Sequence, residues 1–438
     1  MTGTSTGLAT IVSRWPLLQP LQQRNYLLLW IGSVISYVGA NLTFIAFPWL
    51  VVQISGDPLA IGSVLAVAGI PRAAFMLFGG AATDRFSPRT VLIVSTALRL
   101  LLMLVMALLT FEGSITLWQV FVLAFLFGCL DAFYWPASSA ILPRLLPSEL
   151  LPPGNSLLQG AGQASLMLGP VLAGLIISLA GDEQSLQGIA TVFFLDVAGF
   201  VISLITLSMI RQPGLDQQHV VISVKSVLAS LHEGLLAVWE DMPVRIMTIV
   251  LAVFTLFFRG PHLVGIPVLA DARFDEGALA FGMIMSSFGV GALIGIIVAG
   301  SIALPKDHWL GRILLLDFLI LGSTFIVYGT TSHVELAMLV TAIAGLFDGY
   351  VVVILISWLQ ARVPDTLIGR VMSVVMFCNN GLAPVSAAAA GWLLTISLTW
   401  TFLGTGLLLV GLCFMGMAVP VIRQLGLPRY NAASQPRG

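Results

Sequence analysis

The chain has 438 residues, of which 58% are hydrophobic and 9% charged, and its formal net charge is −1. Soluble domains carry roughly a quarter charged residues, so a water-solvated globule is excluded, and a near-neutral chain offers no electrostatic case for a nucleic-acid partner. In lipid only helices or closed barrels satisfy the backbone; apolar runs of about twenty residues without strand-like alternation select helices.

Residues 1–26 are a polar N-terminal segment carrying Arg14 and Arg24, and the first apolar run is too long for a cleavable signal. Twelve spans follow, at roughly 27–54, 59–83, 88–111, 115–142, 152–180, 187–210, 244–270, 277–303, 310–330, 334–361, 367–396 and 398–422. The expected fold is all-α, an integral membrane protein of two pseudo-symmetric six-helix bundles, 27–210 and 244–422, with a linker at 211–243 and a tail at 423–438. In the linker, Val220, Val221, Val224, Val227, Leu228, Leu231 and Leu235 recur at helical spacing, which predicts an amphipathic helix on the membrane surface.

Fifteen of the nineteen Lys and Arg residues fall on the N-terminal side of the membrane, and Arg273 alone falls in the opposite loops. This positive-inside bias places both termini in the cytoplasm. The expected location is the inner (plasma) membrane, with lipid and a small-molecule substrate as partners, no nucleic acid, and a monomeric state. The cysteines Cys129, Cys378 and Cys413 sit in apolar runs without metal-type spacing and read as packing residues.

The halves look duplicated. Asp131 and Asp348, like Pro147 and Pro364, lie 217 residues apart, and Pro48 and Pro267 are 219 apart. Internal repeats with a site between them are a common plan of secondary transporters. Ionisable groups at membrane depth are costly unless paired or wet. Asp131 and Asp348 lie too deep to snorkel, and burial against a neighbouring arginine is the balance a proton carrier needs. Arg72, Arg99 and Arg259 are the candidate partners, Arg99 being read as structural. Arg259 precedes Gly260-Pro261-His262, where the seventh helix should kink; His262 is the one membrane-depth group with an ordinary pKa near neutrality. Asp196 and Asp317 read as structural.

The stretch Gly80-Ala81-Ala82-Thr83-Asp84-Arg85-Phe86-Ser87-Pro88-Arg89 resembles the second-to-third loop signature of the major facilitator superfamily, although Ser87 and Pro88 depart from its second half. Arg24-Asn25-Tyr26, Ala46-Phe47-Pro48-Trp49-Leu50, Pro136-Ala137 and His232-Glu233-Gly234 are similar to its twelve-span drug-efflux branch, which includes macrolide and siderophore exporters. The resemblance implies a cytoplasmic latch of Gly80, Asp84, Arg85, Arg89 and Arg144, with Asp84 facing the start of the eleventh helix near Asp365. It also implies a helix-packing signature at Gly162, Gly169, Pro170 and Gly174, typical of antiporters. The first, fourth, seventh and tenth helices would line a central cavity holding Asn41, Arg72, Asp131, Arg259, His262, Asp348, Tyr134 and Tyr350, with an aromatic wall suited to amphipathic ligands. The first-helix acid and fourth-helix arginine of many members are missing: the chain has Gly39-Ala40-Asn41 and Gly128-Cys129-Leu130-Asp131 there. The expectation is a secondary exporter of hydrophobic or amphipathic molecules, not an enzyme, with no cofactor and the proton as coupling ion. A lysolipid-type flippase or facilitator without proton coupling is the alternative, which the missing first-helix acid supports; no phosphate-binding loop calls for ATP, and no hydrolase elbow points to an enzyme.

Overall fold

The structure, a computed structural model, describes residues 16–180, 186–211, 233–301 and 309–418. After a short 3-10 helix, Pro16–Gln22, twelve helices are long and apolar enough to cross a membrane. They are α1 (Arg24–Ser55), α2 (Pro58–Arg85), α3 (Pro88–Phe111), α4 (Leu117–Ile141), α5 (Leu151–Leu179) and α6 (Gln187–Met209). The second set comprises α7 (Met242–Arg273), α8 (Ala278–Ser301), α9 (Trp309–Thr330), α10 (Val334–Arg362), α11 (Leu367–Ile396) and α12 (Leu398–Ala418). Twelve spans agree with the sequence in number and place. Of the amphipathic stretch expected over 220–235, residues 220–232 lie outside the described residues, and residues 233–240 are helical.

Local chemistry sets the boundaries. Gly56 ends α1 with φ 61°, and its N–H closes on the Val52 carbonyl at 2.8 Å. Asp57 then caps α2 by accepting from the Leu59 N–H at 2.9 Å, ahead of Pro58. Ser87 and Pro88 repeat the device for α3, which accounts for their departure from the loop signature. At the end of the linker, Asp241 caps α7 and also receives Arg362 of α10 in a bidentate ion pair at 2.9 and 3.1 Å. Glu233 meets Arg370 of α11 at 2.6 Å.

Both bundles use the same packing. Gly128 of α4 presses on the Ala68 backbone of α2, and Gly345 of α10 presses on the Phe288 backbone of α8. Between bundles, α2 meets α11 and α5 meets α8. Taking the end where α1 begins as inner, the close glycine approaches between the bundles cluster in the outer half. Gly62 and Gly69 face Ala387 and Pro384, while Gly174 and Gly282 face Ala278 and Pro170. There Trp49 stacks on Phe281 at 6.4 Å, and the Gln53 amide donates to Asp271 at 3.4 Å. Inward of this seal Gly160 and Gly300 meet open space, and α2 is exposed from Arg72 to Met76. The bundles are closed at the outer end and parted at the inner end.

Two π turns interrupt the lines, Thr255–Arg259 in α7 and Phe377–Gly381 in α11. Each lies just before a proline, Pro261 or Pro384, whose missing N–H breaks the ladder. In α7 the Ser386 hydroxyl of α11 fills the gap. It donates to the Leu256 carbonyl at 2.6 Å and accepts from the Gly260 N–H at 2.7 Å, replacing one helical hydrogen bond with two that cross to another helix. The seventh helix is thus pinned at Gly260-Pro261 rather than broken.

Candidate functional site

The first polar constellation joins α2, α3, α4 and α6. Asp131 on α4 is 3.2 Å from Arg99 of α3 and 3.5 Å from Arg72 of α2. The Arg99 guanidinium lies over the rings of Tyr134 and Phe200, at 4.6 and 5.1 Å. Arg99 also interacts electrostatically with Asp196 of α6, which is 1% exposed and accepts from Thr43 of α1 at 2.7 Å. The Gly39 backbone sits against the same Asp196, so a missing side chain on α1 makes room for the acid. One continuous charge path therefore runs from α6 to α2 inside the first bundle. Asp131 does not stand free in the cleft, and Arg99, read from sequence as structural, is its nearer partner.

The second constellation joins α7, α9 and α10. Asp348 interacts electrostatically with Arg259 and with Asp317 of α9, and Arg259 with His262. No ion pair within 4 Å joins Arg259 to Asp348 among the described residues. Asp317 is 3% exposed and one of its oxygens lacks a hydrogen-bond partner. The repeats thus carry opposite charges at matching places: α3 sets an arginine beside Asp131, and α9 sets an acid beside Asp348.

Other predicted residues fall differently. His262 is buried, stacked on Phe258 at 5.0 Å and beside Phe288 at 5.1 Å, and neither ring nitrogen has a hydrogen-bond partner. It packs in an aromatic core with Phe325 and Phe402 and does not line the open cleft. Tyr134 is likewise buried, under Arg99. Asn41 is half-buried; its amide donates to the Tyr37 carbonyl at 2.9 Å and its Cβ rests against Gly169. Tyr350 is half-buried against the α8–α10 seam, near Gly295.

In the packing signature, Gly162 faces the Tyr37 ring and Gly169 faces α1, whereas Pro170 and Gly174 face α8. The Val171 N–H, next to Pro170, donates to Ser286 of α8 at 2.9 Å. Ser286 and Ser386 are site residues that sequence reading missed; the available signal was a serine opposite, or two residues after, a span proline. In the latch, the side chains of Gly80, Asp84 and Asp365 lie outside the described residues, and so does their expected meeting. Arg85 stands over the Phe86 ring at 5.8 Å, and Arg144 is exposed. Arg89 donates to the Leu207 and Ser208 carbonyls at 3.1 and 2.6 Å, capping the end of α6.

Two six-helix bundles sealed at the outer end and parted at the inner end define a secondary-transporter architecture. The sequence model described as Major Facilitator Superfamily matches residues 29–387, and the chain belongs to that family. It is 28% identical over 410 residues to the multidrug efflux pump Tap of Mycolicibacterium fortuitum, covering 92% of this chain and 97% of that protein. With macrolide efflux protein A of Streptococcus pyogenes it shares 20% identity, covering 91% and 96%. Among solved structures, a bacterial homologue of the iron transporter ferroportin in an inward-facing state superposes with a TM-score of 0.68 at 15% identity, covering 90% of this chain and 99% of that one. The nucleoside transporter NupG gives 0.67 at 14%, covering 90% and 98%. These similarities establish the fold.

Proposed function

We propose that this protein is a proton-coupled exporter of hydrophobic or amphipathic small molecules, working by alternating access in the plasma membrane with both termini in the cytoplasm. The observation that carries the proton assignment is Asp317 of α9, buried with one carboxylate oxygen lacking a hydrogen-bond partner, within electrostatic reach of Asp348, which also interacts with Arg259. Neighbouring carboxyls in a low-dielectric site take up and release a proton as a unit, and an arginine in reach changes their balance whenever the bundles move. Asp131, by contrast, already has two arginines and serves to hold α2, α3 and α4 in register. Efflux by the two named relatives supports outward transport, and the arginine-rich inner ends support cytoplasmic termini. The inner opening is the state that receives substrate; rocking about the α5–α8 and α2–α11 seams then closes it and parts the outer seal.

The test is proteoliposome transport of a radiolabelled macrolide under an imposed pH gradient. Asp348→Asn and Asp317→Asn should each lose most gradient-driven transport, and Asp131→Asn should keep its proton dependence with lower protein stability. Unchanged proton dependence in both Asp348→Asn and Asp317→Asn overturns the assignment, and wild-type transport that persists with the gradient collapsed favours a facilitator.

A further inference from the structure

Arg72 is the more exposed of the two arginines that meet Asp131. Its side chain is 46% exposed, against 12% for Arg99 and 16% for Asp131. It approaches Asp131 only at 3.5 Å and makes no hydrogen bond among the described residues, so its N–H groups stay unassigned. A guanidinium has five donors in a planar fork that fits an oxyanion in two places.

The position of Arg72 fixes where those donors sit. Ala68 faces Gly128 of α4 and Gly69 faces Pro384 of α11, so residue 72, one turn further in, continues the same two faces. On α2, Pro71 is buried and residues 72–76 are exposed. Arg72 therefore stands at the apex of the inner opening, where the bundles part. Across from it α2 touches the π turn Phe377–Gly381 of α11. That turn holds Asn379 and the exposed Asn380, whose amide is spent on the Met376 carbonyl. Phe377 of that turn and Met376 just before it are exposed, giving apolar surface on the α11 side of the seam.

We infer that Arg72 is an oxyanion subsite at the apex of the cleft, taking the carboxylate, sulfonate or phosphate of an amphipathic molecule whose apolar body lies against Phe377 and Met376. The inference rests on the exporter reading and narrows its substrate class to amphiphiles bearing an anionic group. Asp131 and the ligand then compete for one guanidinium: the ion pair fills the vacant state, and the arriving oxyanion takes the outward-turned donors.

The experiment measures binding to the full transporter in phosphatidylcholine nanodiscs, by energy transfer from tryptophan to pyrene. The probes are pyrenebutyrate and its uncharged amide, which share one apolar body. Wild type should prefer the acid by about tenfold, the size of one charge-assisted bidentate contact. Arg72→Gln should bring the two affinities together, Arg72→Lys should keep part of the preference, and Asp131→Asn should strengthen acid binding by releasing the guanidinium. Equal affinity of acid and amide for wild type overturns the subsite, as does a preference that survives Arg72→Gln. If Arg72→Gln does not fold, Asp131→Asn decides, because acid binding that weakens or stays unchanged there also overturns it. Repeating the titration with phosphatidylglycerol in the discs separates the sources. Unchanged acid affinity assigns the subsite to soluble ligands, and its loss assigns it to lipid headgroup phosphate. Since binding is read without a pH gradient, failure of proton-driven transport leaves this result standing, and failure here leaves the Asp348–Asp317 assignment standing.

Discussion

Arg99 of α3 holds together groups of α4 and α6. It pairs with Asp131 at 3.2 Å, interacts with Asp196, and covers two aromatic rings with its guanidinium. Removing one member of a buried ion pair leaves the other charge uncompensated, at a cost of about 3 kcal/mol. Arg99→Met is expected to lower the thermal unfolding midpoint of the purified protein, and Arg99→Met with Asp131→Asn to recover much of the loss. Strict additivity of the two changes would show that the residues are not coupled. Thr43→Val should act through the same acid: it removes the hydroxyl that Asp196 accepts from, at about 1–3 kcal/mol, and an unchanged unfolding midpoint would refute that. These residues were individually visible in the sequence as charges at membrane depth. Their pairing was not, because a side chain's partner depends on helix rotation and on which helices are neighbours.

At the scale of elements, the π turns explain how a helix can carry a proline and stay continuous. The extra residue shifts the ladder, and a hydroxyl from the neighbouring helix fills the vacancy in α7. Ser386→Ala leaves a carbonyl and an N–H unpaired inside the protein. It is expected to destabilise by about 1–3 kcal/mol, read as a lower unfolding midpoint, with the larger effect on transport where α7 must pivot on α11. A variant with wild-type midpoint and rate would show that the hydroxyl is dispensable. The sequence located the disturbance at Gly260-Pro261 from the missing N–H. It did not show the serine that repairs it, 126 residues away.

For the whole molecule, the outer seal and inner opening make a statement about access. Gln53 and Asp271 bring α1 and α7 together at the outer end. A Gln53→Cys, Asp271→Cys pair, in a background with the native cysteines replaced, should crosslink on mild oxidation and arrest transport until reduced. Ala74→Cys, on the exposed inner stretch of α2, should at the same time react with a thiol reagent supplied from the side of the termini. Failure to crosslink, or labelling of Ala74→Cys only from the outer side, would contradict the inward-facing arrangement. Asp241 and Arg362 tie the linker's end to α10, so the second bundle should move with that part of the linker.

The helical membrane class, the twelve spans and the repeat spacing were legible along the chain, because each follows from composition and spacing: lipid forbids unpaired backbone, and apolar length sets the span. The family resemblance was legible for the same local reason, in the short run from Gly80 to Arg89. The folded arrangement was needed to show that Asp131 meets Arg72 and Arg99, that Asp317 is buried within electrostatic reach of Asp348, and that His262 belongs to an aromatic core. Those outcomes depend on the azimuth of each helix and on contacts between spans distant in sequence, and a run of uniformly apolar residues carries no periodic signal that would fix either.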